Sequence, residues 1–360
     1  MCRVDDWAVT TPGAERRYRR SPYLALCWEG EQLVLSHCIS LRRFRADARL
    51  LETLSSLATW ATIEDLNART PKITEDVIDR LVDMGILEVA GKQLGGSPAD
   101  AVWWSPFELV VHRLANDGAP VVGAGADVAP PPAFKSRPPG HAIGLPPPAA
   151  VTVALDDALA RRRSVRTYSD RALGDGELSS LLHHAARVRR VLVGPLGEEV
   201  LRPYPTGGAR SELEIYVVAN DLEGVPPGAY FYDSRAHDLV HVRDADAGQE
   251  RLNARLHAST GGLLSRDPPV VLILTAVAAR TLWKYPRTGL SLVYKDTGCL
   301  LQTLYLAATA LGLAPCAVNG GGEAENTAWL GIDPLTECQV ALFLVGPMAS
   351  EHSGPGPARR

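Results

Sequence analysis

Residues 160–170 read ARRRSVRTYSD, an unusual concentration of arginine in a chain whose formal net charge is -4. Arg161, Arg162, Arg163 and Arg166 carry planar, bidentate donors suited to phosphate, and Ser164 adds a hydroxyl among them. The same stretch would also serve as a solvated basic face. RPYPTGGAR, residues 202–210, runs directly into SELEIYVV. Gly207 and Gly208 there would let a flat or phosphorylated ligand approach the backbone, or would simply turn the chain. WKYPRTG, residues 283–289, sets Lys284 beside Tyr285. A lysine charge stabilises a phenolate and burial favours a neutral amine, so either group is a candidate base near neutral pH. Last, GLAPCAVNGGGE, residues 312–323, closes a helix, forms a short apolar strand and turns through glycines. Their backbone N–H groups could reach the edge of a cofactor ring. Neither GxGxxG nor GxxxxGK occurs, which removes the Rossmann fingerprint and the P-loop.

Several chemistries are disfavoured. Cys2, Cys27, Cys38, Cys299, Cys316 and Cys338 form no CxxC pair, and no histidine stands at ligand spacing from them. His183 and His184 are adjacent and would point about 100° apart on a helix, so no metal site is expected. The near-neutral charge argues against nucleic acid as a partner. Scattered cysteines fit reduced thiols. The first residues, MCRVDDWAVTTPGAERRYRR, lack the apolar core of a signal peptide, and no apolar run reaches the roughly 18 residues of a membrane span. A soluble, cytoplasmic protein without a membrane partner is the expectation.

The elements that must hold these residues fall into two parts. Nine of the 27 prolines lie between Pro120 and Pro148, where neither helix nor inner strand is expected. This predicts a linker over 118–150, a small domain over 1–117 and a larger one over 151–360. In the first, YLALCWEGEQLVLSHC predicts a hairpin. ADARLLETLSSL, TIEDLNART with Thr62 as N-cap, and TEDVIDRLVDMG predict three helices before a short strand. That order suggests a winged helix, serving as scaffold or for peptide recognition; its third helix is too acidic to read DNA. In the second part, DGELSSLLHHAARV and YKDTGCLLQTLYLAATALGLAPC predict helices. SELEIYVVAN, PPVVLILTAVA and CQVALFLVGP predict buried strands, giving an α+β domain.

The order of the four motifs resembles the nitroreductase-type FMN fold over about residues 150–347. More narrowly, it resembles the SagB-type azoline oxidases (thiazole/oxazole dehydrogenases) of ribosomal peptide maturation. The N-terminal part is similar to small winged-helix, PqqD-like recognition domains. The resemblance implies that Arg162, Arg163, Ser164 and Arg166 hold FMN. It implies that Pro205, Thr206, Gly207 and Gly208 reach the flavin from the partner of a homodimer, and that Val318, Asn319 and Gly320 line its ring. Lys284 and Tyr285 fall on the paired Lys-Tyr of that branch. Arg210 and Ser211 replace its usual tyrosine-proline, Cys299 a histidine, Thr303 an asparagine and Asn319 a glycine. Arg210 is therefore a candidate for binding an acidic or carboxylate-bearing substrate. The implied activity is FMN-dependent oxidation of thiazolines or oxazolines to azoles in a precursor peptide, with a cyclodehydratase as a further partner. An NAD(P)H-dependent nitro- or quinone reductase, an inactive peptide-binding partner and a winged-helix regulator remain as alternatives.

Overall fold

The computed structural model describes residues 15–68, 73–91, 104–116, 129–286, 288–319 and 321–349. The chain divides into two compact units, residues 1–118 and 119–360.

In the first unit, β1 (Tyr18–Arg20) pairs antiparallel with β5 (Leu87–Val89). β2 (Leu24–Glu29), β3 (Gln32–His37) and β4 (Arg43–Arg45) form a second, three-stranded antiparallel sheet. α1 (Ala48–Ser56), α2 (Ile63–Asn67) and α3 (Glu75–Asp83) follow, and α4 (Pro106–Asn116) comes after β5. The Thr62 cap forms as expected. Its hydroxyl accepts from Asp65 N–H while the Asp65 carboxylate accepts from Thr62 N–H, satisfying two free amides of α2. Thr74 begins α3 without such a bond. Leu35, Leu54, Leu57, Leu66, Ile78 and Ile86 make the core of this unit.

The second unit is built on a seven-stranded sheet. Its strands are β6 (Ala142–Gly144), β9 (Leu213–Ala219), β10 (Gly228–Asp233), β11 (Asp238–Asp244), β12 (Val270–Ala276), β13 (Leu313–Val318) and β14 (Cys338–Pro347), in the order β13-β14-β12-β9-β10-β11-β6. Every neighbouring pair is antiparallel. A hairpin of β7 (Arg190–Gly194) and β8 (Gly197–Leu201) stands apart. The helices are α5 (Leu155–Arg161), α6 (Asp175–Ala185), α7 (Ala247–Ser259), α8 (Ala279–Leu282), α9 (Gly289–Ala310) and α10 (Glu323–Leu330).

Side-chain alternation separates two cores. Leu213, Ile215 and Val217 of β9 join Leu272, Leu274 and Phe343 on one face, with Leu178 and Leu182 of α6 and Leu300 and Leu304 of α9. Tyr216 and Val218 join Val271, Ile273 and Leu344 on the other, with Leu252 of α7 and Trp329 of α10. Layers on both faces explain why β9 and β12 are buried along their whole length and read as continuous apolar runs.

The proline-rich stretch departs from a simple linker over 129–148. Ala142–Gly144 adds to the sheet edge beside β11, and the Pro131 and Pro132 carbonyls accept from Arg210 and Arg280. Proline lacks an N–H but keeps a free acceptor, so an extended proline run can satisfy buried arginines.

Candidate functional site

The arginine loop leaves α5 at Arg162, whose extended backbone ends the helix. Val165 N–H donates to the Pro315 carbonyl, tying the loop to β13. Tyr305, on α9, links the same pieces. Its hydroxyl accepts from Ala317 N–H at 2.7 Å and lies 2.7 Å from Ser164 Oγ, to which its own hydrogen can then be donated. The Arg162 guanidinium stands 5.4 Å above the Tyr305 ring, a cation–π contact. Arg163 is half-buried in the same loop. Arg166 Nε is buried with no acceptor among the described residues. By contrast, Arg161 is exposed and donates to the Asp157 carbonyl of its own helix. Val318 and Asn319 follow directly on Ala317, so the first and last motifs meet at Tyr305; Gly320 lies outside the described residues.

The second and third motifs meet elsewhere. Thr206 enters a single helical turn, Gly207–Ala209, and the adjoining Pro205 is exposed. Gly207 N–H donates to Asp296 Oδ2 of α9 at 2.6 Å. Gly208 has φ +61°, and a Cβ there would lie 2.6 Å from both Lys284 Nζ and the Tyr285 hydroxyl. Both backbone and space therefore demand glycine. Lys284 Nζ donates to the Gly208 carbonyl at 3.4 Å. Lys284 and Tyr285 sit in the turn between α8 and α9, half-buried. Ala209 and Ser211 have φ of 55° and 53°, a left-handed backbone that is costly for residues with a side chain. Burial, and next the Asp296 charge, push the Tyr285 hydroxyl up from its ordinary value.

Tyr305 and Asp296 are nine positions apart on α9. At ~1.5 Å and ~100° per residue, the two meeting points are about 13 Å apart along the helix and on opposite sides of it. One chain thus gathers its motifs as two half-sites.

Arg210 requires a correction. It is 1% exposed and donates to the carbonyls of Leu196, Glu198, Pro131 and Arg280. With its donors directed at backbone acceptors inside the fold, it meets no substrate. An arginine beside a glycine turn looks the same in sequence whether it faces solvent or staples a hairpin to a proline run.

Four residues of these half-sites escaped the motif reading. Tyr305 lay within an apolar helix pattern and carried no signal. Asp296 stood in the quoted helix without a partner in view. Glu212 and Glu214 offered a clue, since two carboxylates alternate with apolar residues at the head of a strand that is otherwise buried. Glu214 pairs with Arg280 at 2.7 Å, both buried. Glu212 is fully buried, and neither of its carboxyl oxygens has a donor among the described residues.

The nitroreductase family profile matches residues 159–346, a span that includes both half-sites. The chain belongs to the nitroreductase family, whose members are generally flavin-dependent oxidoreductases that bind FMN. It is 34% identical to MJ1384 of Methanocaldococcus jannaschii, which bears a nitroreductase name, over 50% of this chain and 85% of that protein. It is 30% identical to the trifolitoxin-processing protein TfxB of Rhizobium leguminosarum bv. trifolii, over 48% of this chain and 46% of the relative. The chain thus spans about half the length of TfxB. A nitroreductase-type structure from Ralstonia eutropha JMP134 aligns over 64% of this chain and 98% of its own, with 24% identity and a TM-score of 0.47.

Proposed function

We propose that the chain is an FMN-dependent azoline dehydrogenase of the SagB type, oxidising thiazoline or oxazoline rings of a precursor peptide to azoles. The observation that carries this reading is the packing of Lys284 and Tyr285 against Gly208. A small-molecule reductase draws its electrons from a soluble donor and needs no base beside the flavin; ring aromatisation does, because one hydrogen must leave carbon as a proton. The name of the relative TfxB, tied to processing of a toxin, points the same way.

The residues fit FMN. Arg166 Nε is a buried donor awaiting an acceptor, and Arg162 and Ser164 are held beside it by Tyr305. A phosphate oxygen answers both needs. The bound flavin supplies the acceptor for the hydride. Lys284 or Tyr285 takes the substrate proton, and the Gly207–Ala209 turn keeps both side chains against the backbone. The amides of Val318 and Asn319 would supply donors to negative charge on the flavin ring edge.

Two half-sites on one chain suit a homodimer in which each flavin is covered from both subunits. Exposed Leu155 and Leu159 of α5 and exposed Leu290 and Tyr294 of α9 supply apolar surface for it. The first unit is read as a winged-helix-like peptide-recognition domain. Its support is a groove of about 430 Å³ lined by Arg19, Arg20, Leu24, Leu26 and Leu51, beside the edge strand β2. A cyclodehydratase is the expected partner upstream, and the cytoplasm the expected location. Among the described residues, no helix is long and apolar enough to cross a membrane.

The test is direct. Purified protein should be yellow with bound FMN, and should convert an azoline-bearing peptide to the azole with loss of two mass units per ring, about 2 Da. Colourless protein that FMN does not restore would sink the reading. The 34% identity with MJ1384 favours a second reading, an NAD(P)H-dependent nitro- or quinone reductase. NADPH-driven bleaching of the flavin, without azoline turnover, would select it.

A further inference from the structure

The Lys284–Tyr285 pair has a neighbour that the proposed reaction does not use. Glu212 ends the chain segment that begins at the glycine turn, and Asp296 holds that turn by accepting from Gly207 N–H. Both carboxyls are buried, at 0% and 6% exposure. Two ionised carboxylates only accept, so they cannot bond to each other; with one proton between them, one donates and the other accepts. Both Glu212 oxygens are buried without a donor among the described residues, and a carboxyl so placed favours keeping a proton.

No cation among the described residues bonds either carboxyl of the pair, and Arg202 keeps one buried terminal nitrogen without an acceptor. Arg280 donates to Glu214 and to the Ser211 carbonyl. Arg202 donates to Ser211 Oγ and the Ala186 carbonyl, and Lys284 to the Gly208 carbonyl. Lys295 is exposed on the helix beside Asp296. The buried Tyr204 hydroxyl and the carboxylates of Glu214 and Glu199 complete the titratable surroundings. With no dedicated counter-cation, two like charges at one site favour retention of a proton. Burial and the Asp296 charge push the Glu212 carboxyl up to about 8. Burial also raises Asp296, against the pull of Gly207 N–H.

The connection to the base pair runs through two consecutive glycines. Gly207 touches Asp296, and Gly208 touches Lys284 and Tyr285. Their Cα atoms are about 3.8 Å apart, and of the pair it is the Asp296 charge that reaches the phenol through this short link.

We propose that Glu212 and Asp296 hold one shared proton at neutral pH and, through the glycine turn, set the ionisation of Tyr285, making them positioning residues for proton abstraction. The shared proton is not consumed; the proton leaving substrate carbon goes to Lys284 or Tyr285. Only the consequence for turnover rests on the azoline-dehydrogenase reading. The shared proton and its effect on Tyr285 stand apart from it.

The experiment uses the full-length protein and needs no substrate. Infrared spectra of wild type minus Glu212→Gln at pH 7 should show a protonated carboxyl C=O band that vanishes in the variant. Tyrosine labelled at Cζ, with Tyr285→Phe to assign the signal, reads the phenol by NMR. Above pH 8 the wild-type pair carries two negative charges and the Glu212→Gln pair one. The variant should therefore lower the Tyr285 midpoint by about one pH unit, allowing for partial screening. Absence of the carboxyl band in the wild type, or an unmoved Tyr285 midpoint in the variant, would overturn the proposal. Should Glu212→Gln not fold, Asp296→Asn serves, since its amide oxygen still accepts from Gly207; it too should move the midpoint down. If the band and the shift are found but no azoline is oxidised, the functional reading fails and the carboxyl pair stands. If azoles form and the kcat/KM limb assigned to the base does not move with Glu212→Gln, the positioning role is overturned.

Discussion

Near Tyr305, helix α9 meets a surplus of donors; near Asp296, it meets a surplus of acceptors. At the first end, Arg162, Arg166 and Ser164 cluster with a buried Nε that has no acceptor. At the second, both carboxyl oxygens of Glu212 lack donors, and Asp296 accepts from the Gly207 N–H of the turn. Unmet donors call for an anion from outside, whereas unmet acceptors can be answered by a proton from within. In the proposed reading one helix separates a place for a phosphate from a place for handling protons, and the strained backbone at Ala209 and Ser211 lies only at the second.

The comparison breaks most sharply at the acceptor end. Lys284→Ala or Tyr285→Phe, whichever removes the base, should lower azoline kcat by about 10²–10⁴-fold, the usual weight of a positioned base. FMN content should not change, which absorbance of the isolated protein checks. Loss of flavin in either variant would mean that the two ends are not separate in function. At the donor end, Arg166→Ala should weaken FMN binding by about tenfold or more, the worth of a charge-assisted bond. Arg161→Ala should leave FMN binding unaltered in fluorescence titration. Tyr305→Phe is expected to cost about 1 kcal/mol in denaturant unfolding, by removing the bond from Ala317 N–H and the link to Ser164. Its FMN affinity should fall by only a few fold.

Two slopes of thermal stability with pH sharpen the contrast further. Burial raises the Glu212 carboxyl in the fold, to about 8 from an ordinary 4.5. The folded chain then keeps a proton that the unfolded chain releases, so stability falls as pH rises through this window. Glu212→Gln should flatten that fall. His237, held by Ser179 and Tyr232 away from both ends, shifts the other way, from 6.5 to about 4, mainly by burial. The unfolded chain then binds a proton that the folded chain refuses, so stability falls as pH drops below 6.5. Between about 4.5 and 6.5 the two contributions oppose each other, so calorimetric melts from pH 4 to 9 should show Glu212→Gln steepening the acid-side fall while flattening the alkaline-side one; an acid side that does not steepen would mean Glu212 is ionised in the folded chain.

The buried strands and long helices were legible in the sequence because apolar period and length are local signals. SELEIYVV and VVLILTA read as strands, and the helix closed by Gly312 forms with that residue at φ +73°. The glycine turn and the Lys-Tyr pair were legible as motifs, yet their contact was not, since it joins residues about 76 positions apart. Arg210 misled because its acceptors come from Pro131 and the β7–β8 hairpin, which no local pattern reveals. Tyr305 was invisible for a related reason: an aromatic residue in an apolar helix reads as core until its hydroxyl's partners are known.

The strand at one margin of the seven-stranded sheet, β6, is three residues long and lies between proline runs, and the strand at the other margin, β13, carries Pro315. Short or proline-bearing margins offer few free N–H groups to a stray strand. With both margins closed in this way, the central sheet resists strand-by-strand aggregation, and an extended peptide of the kind proposed as substrate would find little to template on there.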